Sequence, residues 1–224
     1  MSLSKLLKTI PDPYEIVKCS LNAYFTTFHD HTASGINNIP KTGPIIFASN
    51  HSSFYDPPVI GIKSPRPIHY LARDTLFKGF FGECLHAIGT IPIARGTADV
   101  TSIKAIFKAL KKGEATAIFP EGTRSLDGSL QDPQAGTGMI AIKSKATVVP
   151  TRIFGAFEAF GRDEKLPTLS KKIHITYGEP ISYEMLDLGK EHPDRYLEAS
   201  KKIMHAIDKI KPSDIPTVSY THLT

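Results

Sequence analysis

Residues 50–57 read NHSSFYDP, and His51 stands five positions ahead of Asp56. Histidine is the side chain that ordinarily exchanges protons near neutral pH. A carboxylate on one ring nitrogen fixes the tautomer and stabilises the imidazolium that forms when the other nitrogen takes a proton. Such a pair is a general base for a hydroxyl. On one straight helix, five residues leave two side chains about 140° apart, so cooperation requires a turn. The same letters fit a plainer arrangement. Asp56 before Pro57 has the form of a helix N-cap ahead of a proline in the first helical position, and His51 would then be a turn residue. Ser52 and Ser53 raise a third arrangement, a serine nucleophile, although no Gly-x-Ser-x-Gly elbow surrounds either.

A second stretch, FPEGTRS at 119–125, offers complementary chemistry. Gly122 allows a tight turn, and Arg124 presents a fork of donors suited to a phosphate. Thr123 and Ser125 add hydroxyls. Glu121 could orient the arginine or bond a substrate hydroxyl. Alone, this stretch also fits a plain turn with a surface arginine. His29 and His31 flank Asp30, which makes a poor metal site without further ligands. His69, His86, His174 and His205 fall in expected strands or helices and are read as structural. Cys19 and Cys84 have no metal-like spacing, and a reduced compartment is the default.

The elements that must position these groups alternate. Helices are expected over residues 12–31, 97–112, 136–145 and 193–211, and strands over 44–48, 68–72, 115–119, 146–154 and 172–177. Tyr14, Val17, Leu21, Tyr24, Phe25 and Phe28 recur at three- and four-residue steps, so the first helix either packs on the core or lies at a bilayer interface. Alternation of this kind predicts an α/β fold. The expected domain has a mixed, mostly parallel central sheet flanked by helices, preceded by an N-terminal amphipathic helical segment. The expected divisions are 1–34 for that segment, 35–211 for the domain and 212–224 for a tail. Both chemical stretches follow a strand, and ligand sites of open α/β sheets lie at the strands' carboxyl ends.

The net charge of +5 and pI of about 9.1 favour anionic partners, and no nucleic-acid signature accompanies them. No signal peptide is expected at the N-terminus. No run reaches the ~18 apolar residues of a spanning helix. The most apolar segment, 76–94, is interrupted by Lys78 and Glu83.

Taken together, NHSSFYD and FPEGTRS, about seventy residues apart, resemble the first and third blocks of the 1-acylglycerol-3-phosphate acyltransferase family of glycerolipid acyltransferases. GTIPIARG at 89–96 is similar to the second block, with Arg95 in the place of a phosphate-binding residue. TVVPTRI at 147–153 is similar to the fourth, whose proline is Pro150. The resemblance covers about residues 38–178. It implies transfer of a fatty acyl group from a thioester of coenzyme A or acyl carrier protein to a glycerol hydroxyl, with no metal or other cofactor. His51 and Asp56 would be catalytic, and Arg124 and Arg95 would hold the acceptor's phosphate. Glu121, Gly122 and Thr123 would shape the acceptor site, supported by Asn50, Ser52 and Pro150. Backbone amides of the Asn50–Phe54 loop would be candidates for the oxyanion, and Phe77, Phe80 and Phe81 for the acyl slot. The acceptor belongs to a bilayer, so the resemblance implies a peripheral protein on the anionic cytoplasmic face. Two departures bear on the acceptor. Gln134 stands where many relatives carry a lysine, and Thr151-Arg152 is more polar than the usual fourth block. Glycerol-3-phosphate or another lysolipid is therefore the alternative acceptor.

Overall fold

A computed structural model describes residues 12–93 and 100–211. The chain opens with helix α1, Pro13–His29. It starts as the sequence predicts: the Asp12 carboxylate accepts from the Tyr14 amide at 3.0 Å, with proline in the first turn. Tyr14 and Phe25 are buried and Leu21 and Tyr24 half-buried, while Ile16 and Phe28 face outward. The helix is therefore packed on the core along one stripe.

The main sheet has six strands: β1 (Thr32–Ser34), β2 (Ile45–Ser49), β3 (Ile68–His69), β6 (Ala115–Ile118), β7 (Thr147–Phe154) and β8 (His174–Tyr177). A separate parallel pair is formed by β4 (Leu71–Arg73) and β5 (Ile91–Ile93). The main order is β1-β8-β7-β2-β6-β3, parallel throughout except between β7 and β8. The mixed, mostly parallel sheet flanked by helices is the architecture expected from the alternation. It reaches back to Thr32, three residues before the expected start of the domain, because β1 pairs with β8.

Strand β2 is buried at every position, and apolar up to Ser49, because both of its faces are covered. Ile45 and Phe47 pack toward α1 and helix α2 (Asp56–Ile62), with Phe25, Val59 and Ile60. Ile46 and Ala48 pack on the opposite face against three helices. These are α4 (Val100–Lys111), α5 (Ala135–Ser144) and α8 (Arg195–Lys209), and Ile106, Ile140 and Ile203 are among their contributions. Helix α3 (Gly79–Ala87) precedes β5, α6 (Ala156–Phe160) follows β7, and α7 (Tyr183–Leu186) precedes α8.

The single strand expected over 68–72 is corrected. Ile68 and His69 pair with β6, but the next residues leave that sheet: the Tyr70 carbonyl takes the Ile91 amide at 2.7 Å and Leu71–Arg73 run beside β5. An apolar run does not disclose a change of partner within it.

Candidate active site

Strands β2 and β6 are parallel neighbours, with Ala48 opposite Ile118, so both motifs leave the sheet at one edge and at one level. On the other side of β2, Ala48 lies opposite Pro150 of β7. The first motif closes into a turn around one carboxylate oxygen. Asp56 Oδ2 accepts from His51 Nδ1 at 2.8 Å and from the amides of Ser52 and Ser53 at 2.7 Å each. Asp56 is fully buried, while His51 keeps part of its ring exposed. The turn thus brings together the two groups that a continuous helix would hold apart. It also corrects the N-cap reading. Tyr55 is the cap residue, and Asp56 is the first residue of α2 with its side chain aimed back at the turn. The prolines that follow it remove amides that the first helical turn leaves without intrahelical partners.

With Nδ1 donating to Asp56, the ring's Nε2 carries the lone pair, which is the tautomer a general base requires. The ring stacks on Phe119, centroids 3.8 Å apart and planes within 13°. Phe119 is the first residue of the second motif, so one aromatic contact fixes the ring against the neighbouring loop.

Glu121 ties the loops together more directly. One of its oxygens accepts the His51 amide at 2.8 Å and the other the Gln131 amide at 3.2 Å. The Ser125 amide donates to the His51 carbonyl at 2.8 Å. Glu121 is buried, and that desolvation pushes its pKa up to about 7 against the opposing pull of the two amides. Both oxygens are engaged inside the chain, so Glu121 is built as a clamp between motifs. Gly122 has φ +73°, a conformation that favours glycine, and an added Cβ would approach Gln134 Cγ to 3.3 Å. Thr123 is exposed beside it. The Arg124 guanidinium lies 3.6 Å above the Phe54 ring, which places the cation of the second motif on an aromatic side chain of the first.

Asn50 supports the site from the third side. Its side-chain amide donates to the Ile153 carbonyl at 3.1 Å, and its oxygen accepts the Ile153 amide at 2.8 Å. Ser52 is buried and contributes its amide to Asp56. Ser53 Oγ donates to the Phe160 carbonyl at 2.8 Å, which engages it outside the pair. Pro150 is in β7 just before the antiparallel ladder with β8 begins at Thr151. Arg95 lies outside the described residues.

Two further expectations are revised. The Asn50–Phe54 loop does not offer a set of free amides for an oxyanion. The amide of His51 goes to Glu121, those of Ser52 and Ser53 to Asp56, and that of Phe54 to the Phe160 carbonyl. One apolar cavity among the described residues is lined by segments other than the one around Phe77. It lies between α4, the end of β6 and the start of α5, measures about 290 Å³, and is lined by Ile103, Ile106, Ile118, Phe119, Met139 and Ile140 among others. Polar Arg152 is explained away from the site: it donates to the Ile207 carbonyl at 3.3 Å near the C-terminus of α8, with Asp208 at 3.5 Å. Gln134 is exposed at the N-cap of α5, beside Gly122. Phe119 and Phe54 lie inside the motifs, but nothing local signals what their rings touch. Phe160, whose carbonyl anchors the turn, carries no sequence signal. Among the described residues no cluster of His, Cys, Asp and Glu could hold a metal ion.

The sequence pattern of the acyltransferase family matches residues 30–154, which include His51, Asp56, the FPEGTRS turn and Pro150. The chain belongs to the acyltransferase family. It is 36% identical over 147 residues to the 1-acyl-sn-glycerol-3-phosphate acyltransferase of Bacillus subtilis, an alignment covering 64% of this chain and 70% of that protein. It is 29% identical over 154 residues to a chloroplastic enzyme of the same name from Arabidopsis thaliana, covering 64% of this chain and 43% of that one. Several of the curated relatives are thus matched over only about half their length or less. The crystal structure of the 1-acyl-sn-glycerophosphate acyltransferase of Thermotoga maritima superposes with a TM-score of 0.68 over 90% of this chain and 83% of that one, at 21% identity, which shows a common fold. No helix among the described residues is long and apolar enough to cross a membrane.

Proposed function

We propose that this acyltransferase moves a fatty acyl group from a thioester to the free sn-2 hydroxyl of 1-acylglycerol-3-phosphate, giving phosphatidate. The observation that carries the reading is the buried Asp56 carboxylate on Nδ1 of a His51 ring whose other nitrogen is free to take a proton. His51 Nε2 accepts the hydroxyl proton as the oxygen attacks the thioester carbonyl, and Asp56 stabilises the imidazolium. The C–S bond then breaks, and the imidazolium returns the proton to the leaving thiolate. No acyl-enzyme forms, and the step as written needs no metal or redox cofactor. The donor is the thioester of coenzyme A or of acyl carrier protein.

Arg124 and Thr123 meet the acceptor's phosphate at the exposed turn, with Arg95 as a second cation from the sequence pattern. The apolar cavity is suited to the acyl chain, because Phe119 both lines it and stacks on His51. The names of the relatives support the acceptor class. The exposed neutral Gln134 beside Gly122 favours a second reading in which glycerol-3-phosphate or another lysolipid is the acceptor.

The test is acyl transfer to lysophosphatidate in detergent, with acyl-coenzyme A and then acyl-acyl carrier protein, comparing wild type with His51→Ala. Phosphatidate formation that falls by about 10²–10⁴ in the variant supports the reading. Equal rates remove His51 as the base. Undiminished thiol release without acceptor makes the chain a thioesterase, and preference for another acceptor selects the second reading.

A further inference from the structure

The surface joined to the catalytic turn carries large exposed apolar side chains. Leu166 is 77% exposed and Leu169 48%, both in the connection from α6 to β8, while Phe54 is 47% and Phe28 43% exposed. Backbone bonds stitch their segments into one surface. The Ser170 amide donates to the Phe28 carbonyl at 2.8 Å, the Thr168 amide to the Ala159 carbonyl at 2.7 Å, and the Phe54 ring packs 4.9 Å from Phe160. The surface borders the catalytic turn, because Ser53 bridges to Gly161. Exposed apolar side chains gathered on segments linked in this way point to an interaction site.

The charge pattern selects the occupant. Arg162, Lys165, Lys171 and Lys172 are all exposed in the same connection. Its carboxylates are Asp163 and Glu164, and Lys172 lies 3.5 Å from Asp30. Arg162 also donates to the Arg124 carbonyl at 3.1 Å, which joins the basic rim to the phosphate-facing turn. Leucines among cations suit an anionic lipid surface, where apolar tips enter the acyl region and cations meet the headgroups. A second copy of the same basic connection would be repelled.

We propose that this rim, centred on Leu166 and Leu169 and continued by Phe28 and Phe54, docks the protein onto an anionic bilayer with the His51 turn at the lipid surface. The inference deepens the function proposed above and rests on it only for the substrate, since docking needs no turnover. It locates the contact in the connection from α6 to β8, far in sequence from α1, of which only the last turn takes part.

The chain contains no tryptophan, so Leu166→Trp is a unique reporter. Its emission should shift to the blue on adding phosphatidylcholine vesicles containing phosphatidylglycerol, and much less with phosphatidylcholine alone. The double variant Leu166→Glu/Leu169→Glu should lose co-sedimentation by on the order of tenfold or more. It should keep wild-type transfer to lysophosphatidate dispersed in detergent. Lys165→Glu/Lys171→Glu should lose only the dependence on anionic lipid. The proposal is overturned if the reporter's emission ignores vesicles, if the double glutamate variant binds like wild type, or if the blue shift tracks protein concentration without lipid, which would indicate self-association. Absence of transfer in detergent would defeat the proposed function while leaving the vesicle result to stand.

Discussion

Replacing Asp56 by asparagine separates two jobs that the structure gives to one oxygen. Oδ2 receives His51 Nδ1 and the amides of Ser52 and Ser53, so it both orients the ring and closes the turn. An asparagine oxygen can accept from the same three donors. The bonds weaken as the acceptor loses its charge, but the residue is fully buried and the neutral group costs less to desolvate. These terms oppose, and the net change in stability should stay within about 1–2 kcal/mol. Alanine instead strands three donors, at about 1–3 kcal/mol for each that stays dry, and should cost about 3–5 kcal/mol in total. For a chain of this length that is a fall in Tm of roughly 6–20 °C, against a few degrees for asparagine. Catalysis should not follow stability. The neutral amide leaves the imidazolium uncompensated, so Asp56→Asn should lower kcat by about 10²–10⁴ with KM for both substrates nearly unchanged. Denaturant titration of both variants, with thiol release measured on the asparagine variant, makes the comparison. Wild-type kcat in Asp56→Asn would reduce Asp56 to a knot in the turn. An asparagine variant as unstable as alanine would refute the account of the three shared bonds.

Three other perturbations test the surroundings. His31 is buried with both ring nitrogens lacking a hydrogen-bond partner among the described residues, and desolvation, with Lys63, His174 and His29 nearby, lowers its pKa to about 3. Its neutral form stabilises the fold fully above the ordinary value of 6.5, and that contribution, about 4–5 kcal/mol at most, drains away as pH falls toward 3; His31→Leu should flatten the acid limb of a Tm-against-pH curve. Glu121 works in the opposite sense, because burial raises its pKa to about 7: folding favours the protonated form, and stability declines as pH rises from about 4.5 to 7. Glu121→Gln should remove that slope between pH 5 and 8, while starting from a lower Tm at pH 5 because its NH2 faces an amide donor. Asn50→Ala should cost about 2–3 kcal/mol by denaturant titration, since it orphans the Ile153 amide and carbonyl; an unchanged midpoint would show that clip to be idle.

What could be read from the sequence was whatever depends on neighbours along the chain. The runs PIIFA and ATAIF read as buried strands because both faces of a central parallel strand are apolar. Asp12-Pro13 and Lys111-Lys112-Gly113 read as helix ends because caps are local chemistry. The pairing of His51 with Asp56 was one of three arrangements that the letters of that turn allowed, and the bond between them selects it. Long-range partners were not legible. Glu121 looks like a substrate ligand in isolation, and only the adjacency of β2 and β6 shows its oxygens on the His51 and Gln131 amides. Arg152 looks like a departure within a site block, yet its partners are on a helix more than fifty residues later. The partner switch at Tyr70 falls inside an unbroken apolar run and leaves no mark in it.

The position of β2 explains why motifs so far apart can act as one site. It is flanked by β7 and β6, both parallel to it, so the segments following Ser49 and Ile118 emerge together at one edge, beside the stretch of β7 from Thr151 to Phe154 that runs on against β8. Register is then critical, since a one-residue slip of β6 would turn Phe119 to the other face and withdraw its ring from His51. The cross-links are suited to prevent such a slip. Glu121 holds the His51 amide, the Ser125 amide holds the His51 carbonyl, and Asn50 holds both polar groups of Ile153. Each grips main chain, whose position is fixed by the sheet, so the imidazole is oriented by a frame and only finally by Asp56. Loosening any of these grips should move the ring relative to a bound substrate while leaving the lining of the apolar cavity in place. Such changes should therefore appear in kcat before KM, unlike changes at Arg124 or Thr123, where binding of the acceptor is expected to fail first.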